Sequence, residues 1–157
     1  MATTPAIQIR HLYISSGHNF FGHYGKPPDK YPMVEREEIH CVTGRGIEGD
    51  RFFDYKPNCK GQVTFFAEEV YGQLCAELGV WDQPAWVFRR NIITAGADLP
   101  ALIGQEFEIQ GVRFAGCSES APCEWMNHAF APGAEEWLKG RGGLRAKILT
   151  DGILRRG

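Results

Sequence analysis

Residues 105–119 read QEFEIQGVRFAGCSE, two runs of alternating apolar and polar residues that meet at Gly111. A period of two puts every second side chain on one face, so Phe107 and Ile109 on the first run oppose Val112 and Phe114 on the second. Glycine tolerates the positive φ of a tight reversal, and the pattern predicts an antiparallel hairpin over 105–119. The C-terminal stretch repeats the theme: LRAKILT (144–150), Asp151-Gly152, then ILRRG (153–157). Asp-Gly between two β-rich runs predicts a second hairpin.

Outward from these, AIQIRHLYI (6–14), EREEIHCV (35–42), QVTFF (62–66) and AWVFRRNIIT (85–94) are rich in β-branched and aromatic residues and read as strands. The stretch from Ala67 to Gly79 breaks the period: Val70, Leu74 and Leu78 fall at helical spacing, Glu68 and Glu69 suit the first turn, and Gly79 suits the end. DLPALIG (98–104) reads as a short turn-like connection, Pro122 as the start of a short helix, and AEEWLKG (134–140) as another. About seven short strands with two or three short helices fit a curled antiparallel barrel better than alternating βαβ units. The expected fold is a mainly-β barrel with a few short α-helices, and the length suits a single domain over residues 1–157.

Two long loops interrupt the strands, SSGHNFFGHYGKPPDKYP (15–32) and TGRGIEGDRFFDYKPNCKG (43–61). Loops of this length in a compact fold are more often functional than idle. The 157 residues are 43% hydrophobic and 23% charged, which excludes wholesale disorder. A net charge of −2 and a pI near 6.2 give no reason to expect nucleic acid or an anionic membrane as partner. No stretch approaches the roughly 20 apolar residues of a membrane span, and MATTPAIQIRHLY lacks the pattern of an export signal, so a cytoplasmic protein is expected. Five cysteines, an odd number, argue for free thiols rather than a disulfide framework.

Cys123, in the segment Ser120-Ala121-Pro122-Cys123, is the leading chemical candidate. A cysteine in the first turn of a helix meets unpaired N–H groups that favour the thiolate, the form that acts as nucleophile or soft-metal ligand. An arbitrary cysteine is more often an inert buried hydrophobe, but the Pro-Cys placement and polar surroundings favour a functional one. Cys117, six positions earlier, is a potential resolving thiol or co-ligand, and the spacing does not match a zinc knuckle. Cys75 belongs to the apolar stripe of the helix. His18, His23, His40 and Cys41 are scattered, and Cys59 has no evident purpose. Along a strand, Arg89 and Asn91 would share one face and suit a phosphate or other oxyanion, while Arg90 would point the other way. Asp50 and Arg51 after Gly49 read equally as a local ion pair or a binding element, and Arg141 and Arg145 around Gly142-Gly143 offer a second anion contact.

Taken in order, GIEGDR (46–51), QVT (62–64), FRRNIIT with its continuation DLPALIGQEFEIQGVRF (88–114), APC (121–123) and GGLRAKILTDGILRRG (142–157) resemble the MOSC domain family, the C-terminal domain of molybdenum cofactor sulfurases. The resemblance implies a pyruvate-kinase-like β-barrel with short helices. It also implies that Cys123 bears a persulfide or ligates molybdenum, and that Arg89, Asn91, Asp50 and Arg51 belong to the cofactor-binding region. Two chemistries follow from it. Cys123 relays sulfur from a cysteine desulfurase to an acceptor, with no pyridoxal phosphate expected on this chain, or it ligates molybdenum bound through molybdopterin in a reductase of N-hydroxylated compounds served by an electron-donor protein. A barrel that only docks a partner is the alternative from another class. Longer relatives carry an additional N-terminal β-barrel domain, in place of which the aromatic loop FFGHYGKPPDKY (20–31) is expected to act as a lid or partner surface.

Overall fold

The computed structural model describes residues 7–15, 33–55, 61–122 and 124–157. Ten strands are assigned among them: β1 (Gln8–Ile14), β2 (Val34–Glu35), β3 (Glu38–Val42), β4 (Gly46–Ile47), β5 (Val63–Ala67), β6 (Ile92–Ala95), β7 (Glu106–Ile109), β8 (Val112–Glu119), β9 (Leu144–Ile148) and β10 (Gly152–Arg155). Three helices accompany them: α1 (Glu68–Leu78), α2 (Glu124–Ala129) and α3 (Ala134–Leu138). Short 3-10 turns cover Ala85–Phe88 and Leu99–Leu102.

The hairpin over 105–119 forms as the pattern requires. Phe107 lies opposite Phe114 and Ile109 opposite Val112. Gln110 and Gly111 both take positive φ, 51° and 85°, the conformation of a two-residue turn whose twist matches the strands. On its other edge β8 pairs antiparallel with β9, but the register slips between Gly116 and Ser118, so Cys117 is the extra residue of a bulge. α1 also forms as its spacing predicts, with Gly79 closing it at φ 64° and donating its N–H to the Cys75 carbonyl.

The Asp151-Gly152 hairpin does not form. β9 pairs with β5 and β8, while β10 leaves that sheet and pairs with β3, Gly152 opposite Cys41. Asp151 serves another end: its Oδ1 accepts the backbone N–H and the hydroxyl of Thr43, both at 2.7 Å. Gly152 is needed because a Cβ there would meet Val112 Cγ2 at 2.6 Å.

One sheet therefore has seven strands in the order β2-β1-β6-β5-β9-β8-β7, and a second has three, β10-β3-β4. The expected closed barrel is not what the hydrogen bonds describe: β2 and β7 end the large sheet, and among the described residues no ladder joins them. The smaller sheet instead covers the apolar face, giving an inner core that takes Ile39, Cys41, Ile47 and Leu154 from it and Ile9, Phe65, Phe107, Phe114 and Ile148 from the larger. Alternation along the central strands feeds two layers. Phe65 and Ile92 enter the inner core, whereas Phe66 and Ile93 enter an outer core under the helices with Leu74, Phe88, Met126, Phe130 and Leu138. β5 and β6 are buried on both faces, which is why they read as unbroken apolar runs and why they form a parallel pair bridged by α1. No helix among the described residues is long and apolar enough to cross a membrane.

Candidate functional site

The expected strand over 85–94 is interrupted where it matters most. Pro84 leads into a 3-10 turn, Arg89 then adopts φ 59°, ψ 38°, and the strand proper begins only at Ile92. A left-handed conformation costs a non-glycine residue about 1–2 kcal/mol, so the surroundings must hold it. They do: the Arg89 N–H donates to the Trp86 carbonyl at 3.0 Å, and the Arg89 carbonyl accepts from Arg51 Nη2 at 2.8 Å. Strand alternation does not place Arg89 and Asn91 on one face, because this stretch is not a strand.

Arg89, only 8% exposed, donates from Nη2 to the Ser15 hydroxyl at 3.1 Å. Behind it stands the buried pair of Asp50 and Arg51, joined at 3.1 Å with side chains 0% and 6% exposed. The Asp50 carboxylate also accepts the N–H groups of Ser15 at 3.0 Å and Phe52 at 3.3 Å. Arg51 lies over the Phe52 ring and reaches Met33 Sδ. Two guanidiniums thus gather around one carboxylate. Burial, and then the like charge of Arg51, bring the Arg89 guanidinium down to about 10, with Asp50 opposing. Burial also lowers Arg51, opposed by Asp50. Arg89, at about 10, stays cationic at neutral pH.

Asn91 has a different task from the one its residue type suggested. It is fully buried, and its Oδ1 accepts the Thr64 N–H at 3.0 Å and the Thr64 hydroxyl at 3.1 Å, while Nδ2 donates to the Tyr13 carbonyl at 3.1 Å. Its carboxamide oxygen and one of its two amide hydrogens stitch β1, β6 and β5 together.

Arg90, expected to face away, points to the Ser120–Pro122 segment. It donates to the carbonyls of Phe88 at 2.9 Å, Gly142 at 3.1 Å, Ser120 at 2.9 Å and, more distantly, Ala121 at 3.5 Å. Gly142 packs against the same segment so closely that a Cβ would meet the Ser120 carbonyl oxygen at 2.4 Å and the Pro122 nitrogen at 2.9 Å. Cys123 itself lies outside the described residues. Its neighbours on both sides are described, and α2 starts at Glu124 rather than at Pro122. The second residue of α2, Trp125, donates its indole N–H to the Val87 carbonyl at 2.7 Å and lies 6.0 Å from the Arg89 guanidinium carbon. Ser120 and Ala121 are thus held by Arg90, and Trp125 lies beside Arg89.

The remaining candidates are dispersed. Cys117 is half-buried, its thiol directed to the Ala115 carbonyl. Cys75 and Cys41 are buried in the outer and inner cores, and burial pushes the Cys41 thiol up to about 12. His40 alternates with Cys41 along β3 and is exposed, so the two share no face. Arg141 stacks on the Trp137 ring at 4.0 Å, and Arg145 is exposed on β9. His18, His23, Cys59 and the aromatic loop lie outside the described residues. Among the described residues no three His, Cys, Asp or Glu side chains converge as a metal site. Sequence reasoning missed Ser15, Trp125 and the work of Arg90. The Gly142-Gly143 pair was the available signal for the last, since adjacent glycines mark close backbone approach.

The fold and this cluster define a mainly-β protein with short covering helices and a buried arginine–carboxylate group close to Trp125 at the start of α2. The chain belongs to the MOSC domain family, whose model matches residues 23–157. In structure it is similar to the YuaD protein from Bacillus subtilis, with a TM-score of 0.73, 16% identity, and coverage of 96% of this chain and 92% of that one. It is also similar to YiiM from Geobacillus stearothermophilus, with a TM-score of 0.69, 12% identity, and coverage of 96% and 72%. For YiiM from Escherichia coli the TM-score is 0.62 at 18% identity, and the match covers 92% of this chain and 65% of that one. At these identities the likeness is one of fold. No curated protein sequence is significantly similar to the chain.

Proposed function

We propose that the protein is a molybdenum-cofactor-linked sulfur carrier in which Cys123 holds sulfur as a persulfide. The observation that supports this most is the setting of the described residues that flank Cys123 in the sequence: Ser120 and Ala121 are clamped by Arg90, and Trp125 lies 6.0 Å from the Arg89 guanidinium. Neighbouring cations favour a thiolate over a thiol. In the loading step the Cys123 thiolate attacks the sulfane sulfur of a cysteine desulfurase persulfide. A bond forms between the two sulfurs, the donor S–S bond breaks, and the donor cysteine leaves as thiolate. In the delivery step an acceptor nucleophile takes the sulfane sulfur and Cys123 leaves as thiolate, so neither step needs an external oxidant.

The molybdenum cofactor of this family fits part of the cluster. Arg89 suits its phosphate, because a guanidinium offers a planar fork. Asn91 does not suit it, its carboxamide being committed to Thr64 and Tyr13. Asp50 and Arg51 serve as the frame that holds Arg89. When bound, the cofactor would supply a redox-active molybdenum centre, and delivery of the sulfane sulfur to it as sulfide would need two electrons from a thiol reductant, which leaves as disulfide. The same arginine favours a second reading, a reductase of N-hydroxylated compounds in which the Cys123 thiolate ligates molybdenum and an electron-donor protein is the partner.

Mass spectrometry after incubation with a cysteine desulfurase and cysteine tests the carrier reading. A gain of one sulfur on Cys123, absent in Cys123→Ala, is expected. Stoichiometric molybdenum in protein from a cofactor-producing host, lost in Cys123→Ala, would instead favour the reductase. If neither sulfur nor metal depended on Cys123, both chemistries would fail and a partner-docking role would remain.

A further inference from the structure

We propose that a cavity between the start of α1 and the stretch before β9 binds a small zwitterion with a short apolar body, the chemistry of a neutral amino acid. Its volume is about 230 Å³, below the roughly 300–1,000 Å³ of pockets that take drug-sized ligands, so its occupant is small. Three separate stretches build it: the junction of β5 and α1, the loop and 3-10 turn after β6, and residues 141 and 143 ahead of β9. It shares no lining residue with the Arg89 cluster, and its chemistry is independent of Cys123.

Ala67, Val70, Ala97 and Leu99 supply apolar walls that continue the inner core. Glu69, Asp98 and Arg141 line the same cavity, and the frame that carries them is fixed before any ligand arrives. Glu69 Oε2 accepts the Gly96 N–H at 2.9 Å, which ties the helix to the loop. The Arg141 guanidinium lies over the Trp137 ring at 4.0 Å, and the Arg141 N–H donates to the Leu138 carbonyl at 2.7 Å. On either side of it the N–H groups of Gly140 and Gly142 both donate to Glu119 Oε2, at 3.0 and 3.1 Å. Gly143, at φ 112°, approaches β5 so closely that a Cβ would meet the Phe65 carbonyl oxygen at 2.2 Å.

Asp98 and Arg141 are exposed and so stand at the mouth. Among the described residues neither has an ion-pair partner, and Asp98 makes no cap bond to the 3-10 turn that follows it. An apolar-walled cavity thus carries one unpaired cation and one unpaired anion. A simple ion of either sign would meet a like charge there as well as an opposite one. A zwitterion complements both: its carboxylate suits the planar fork of Arg141, its ammonium suits Asp98 with Glu69 adding charge of the same sign, and a short side chain covers the walls.

The test is isothermal titration of the whole protein with L-norvaline, compared with three fragments of it: butylamine without the carboxylate, pentanoate without the amine, and glycine without the apolar body. One-to-one binding of norvaline is expected, with each fragment weaker by about tenfold or more. Asp98→Asn and Arg141→Gln are each expected to weaken norvaline about tenfold. Ala97→Phe, which fills the cavity, is expected to abolish binding while buried Cys41 and Cys75 stay protected from iodoacetamide. Should that variant unfold, the two exposed positions decide the matter alone. Absence of saturable norvaline binding, a fragment that binds as tightly as norvaline, or affinity unchanged in Asp98→Asn and Arg141→Gln would overturn the proposal. Cys123→Ala is expected to bind norvaline as the unaltered protein does, so failure of this site and failure of the sulfur-carrier reading are read separately.

Discussion

Asp50 decides whether the arginine cluster can exist. Its side chain is wholly buried and shares a bond with Arg51, so Asp50→Asn would leave that guanidinium buried beside a neutral amide. Removing one member of a buried pair typically costs about 3–5 kcal/mol. Asp50→Asn is expected to lower unfolding stability by that order in urea titrations, and a change near zero would show that water already reaches the pair. Asn91 tests the opposite assignment, scaffold against ligand. Asn91→Ala strands the Thr64 N–H and hydroxyl and the Tyr13 carbonyl in a fully buried place, with an expected loss of about 2–4 kcal/mol. Arg89→Ala removes instead a cation that the fold holds at some electrostatic cost, so it should change stability far less. If Asn91→Ala were as mild as Arg89→Ala, the carboxamide would be a ligand group after all.

At the scale of elements, what was legible in the sequence was local. The 105–119 hairpin announces itself because its partners are neighbours and its turn chemistry is contained in Gln110 and Gly111; α1 does so because its stripe and its glycine stop lie within one run. Asp151-Gly152 misled because the same dipeptide that makes a tight hairpin also suits a crossing between sheets, and the choice depends on β3, some 110 residues away. Arg89, Arg90 and Asn91 were found as a group but their directions were not, since alternation applies only to strands and this stretch turns at Arg89. Two glycines separate these cases experimentally. Gly111→Ala should cost about 1 kcal/mol, through its positive φ alone, and leave Cys123 reactivity intact. Gly142→Ala, whose Cβ would press on Ser120 and Pro122, should cut sulfur loading of Cys123 about tenfold or more while Cys41 and Cys75 remain protected. Equal loading in the two variants would mean that the Ser120–Pro122 segment does not depend on this glycine for its position.

At the scale of the whole molecule, the two sheets are joined through a core in which Cys41 stands on β3 opposite Gly152 of β10. Burial raises its thiol from an ordinary 9.0 to about 12, and Tyr13, where the large sheet meets the outer core, rises from 10.0 to about 12, again chiefly by burial. Both groups are therefore favoured in their neutral forms by the fold. A group whose folded value lies above its unfolded one contributes stability that is complete below the unfolded value and disappears as pH climbs through the folded one. For Cys41 that window runs from about 9 to about 12. Within it the unfolded chain releases a proton that the folded chain keeps, a slope approaching 1.4 kcal/mol per pH unit for one thiol. The urea midpoint of the protein should hold level to about pH 9 and then fall. Cys41→Ala, weaker at neutral pH by the lost side-chain packing, should fall less steeply between about pH 9 and 11, with Tyr13 contributing only above its ordinary 10.0. Parallel curves for the two proteins would place the Cys41 thiol in contact with water, and the inner core that joins the sheets would then be open at β3.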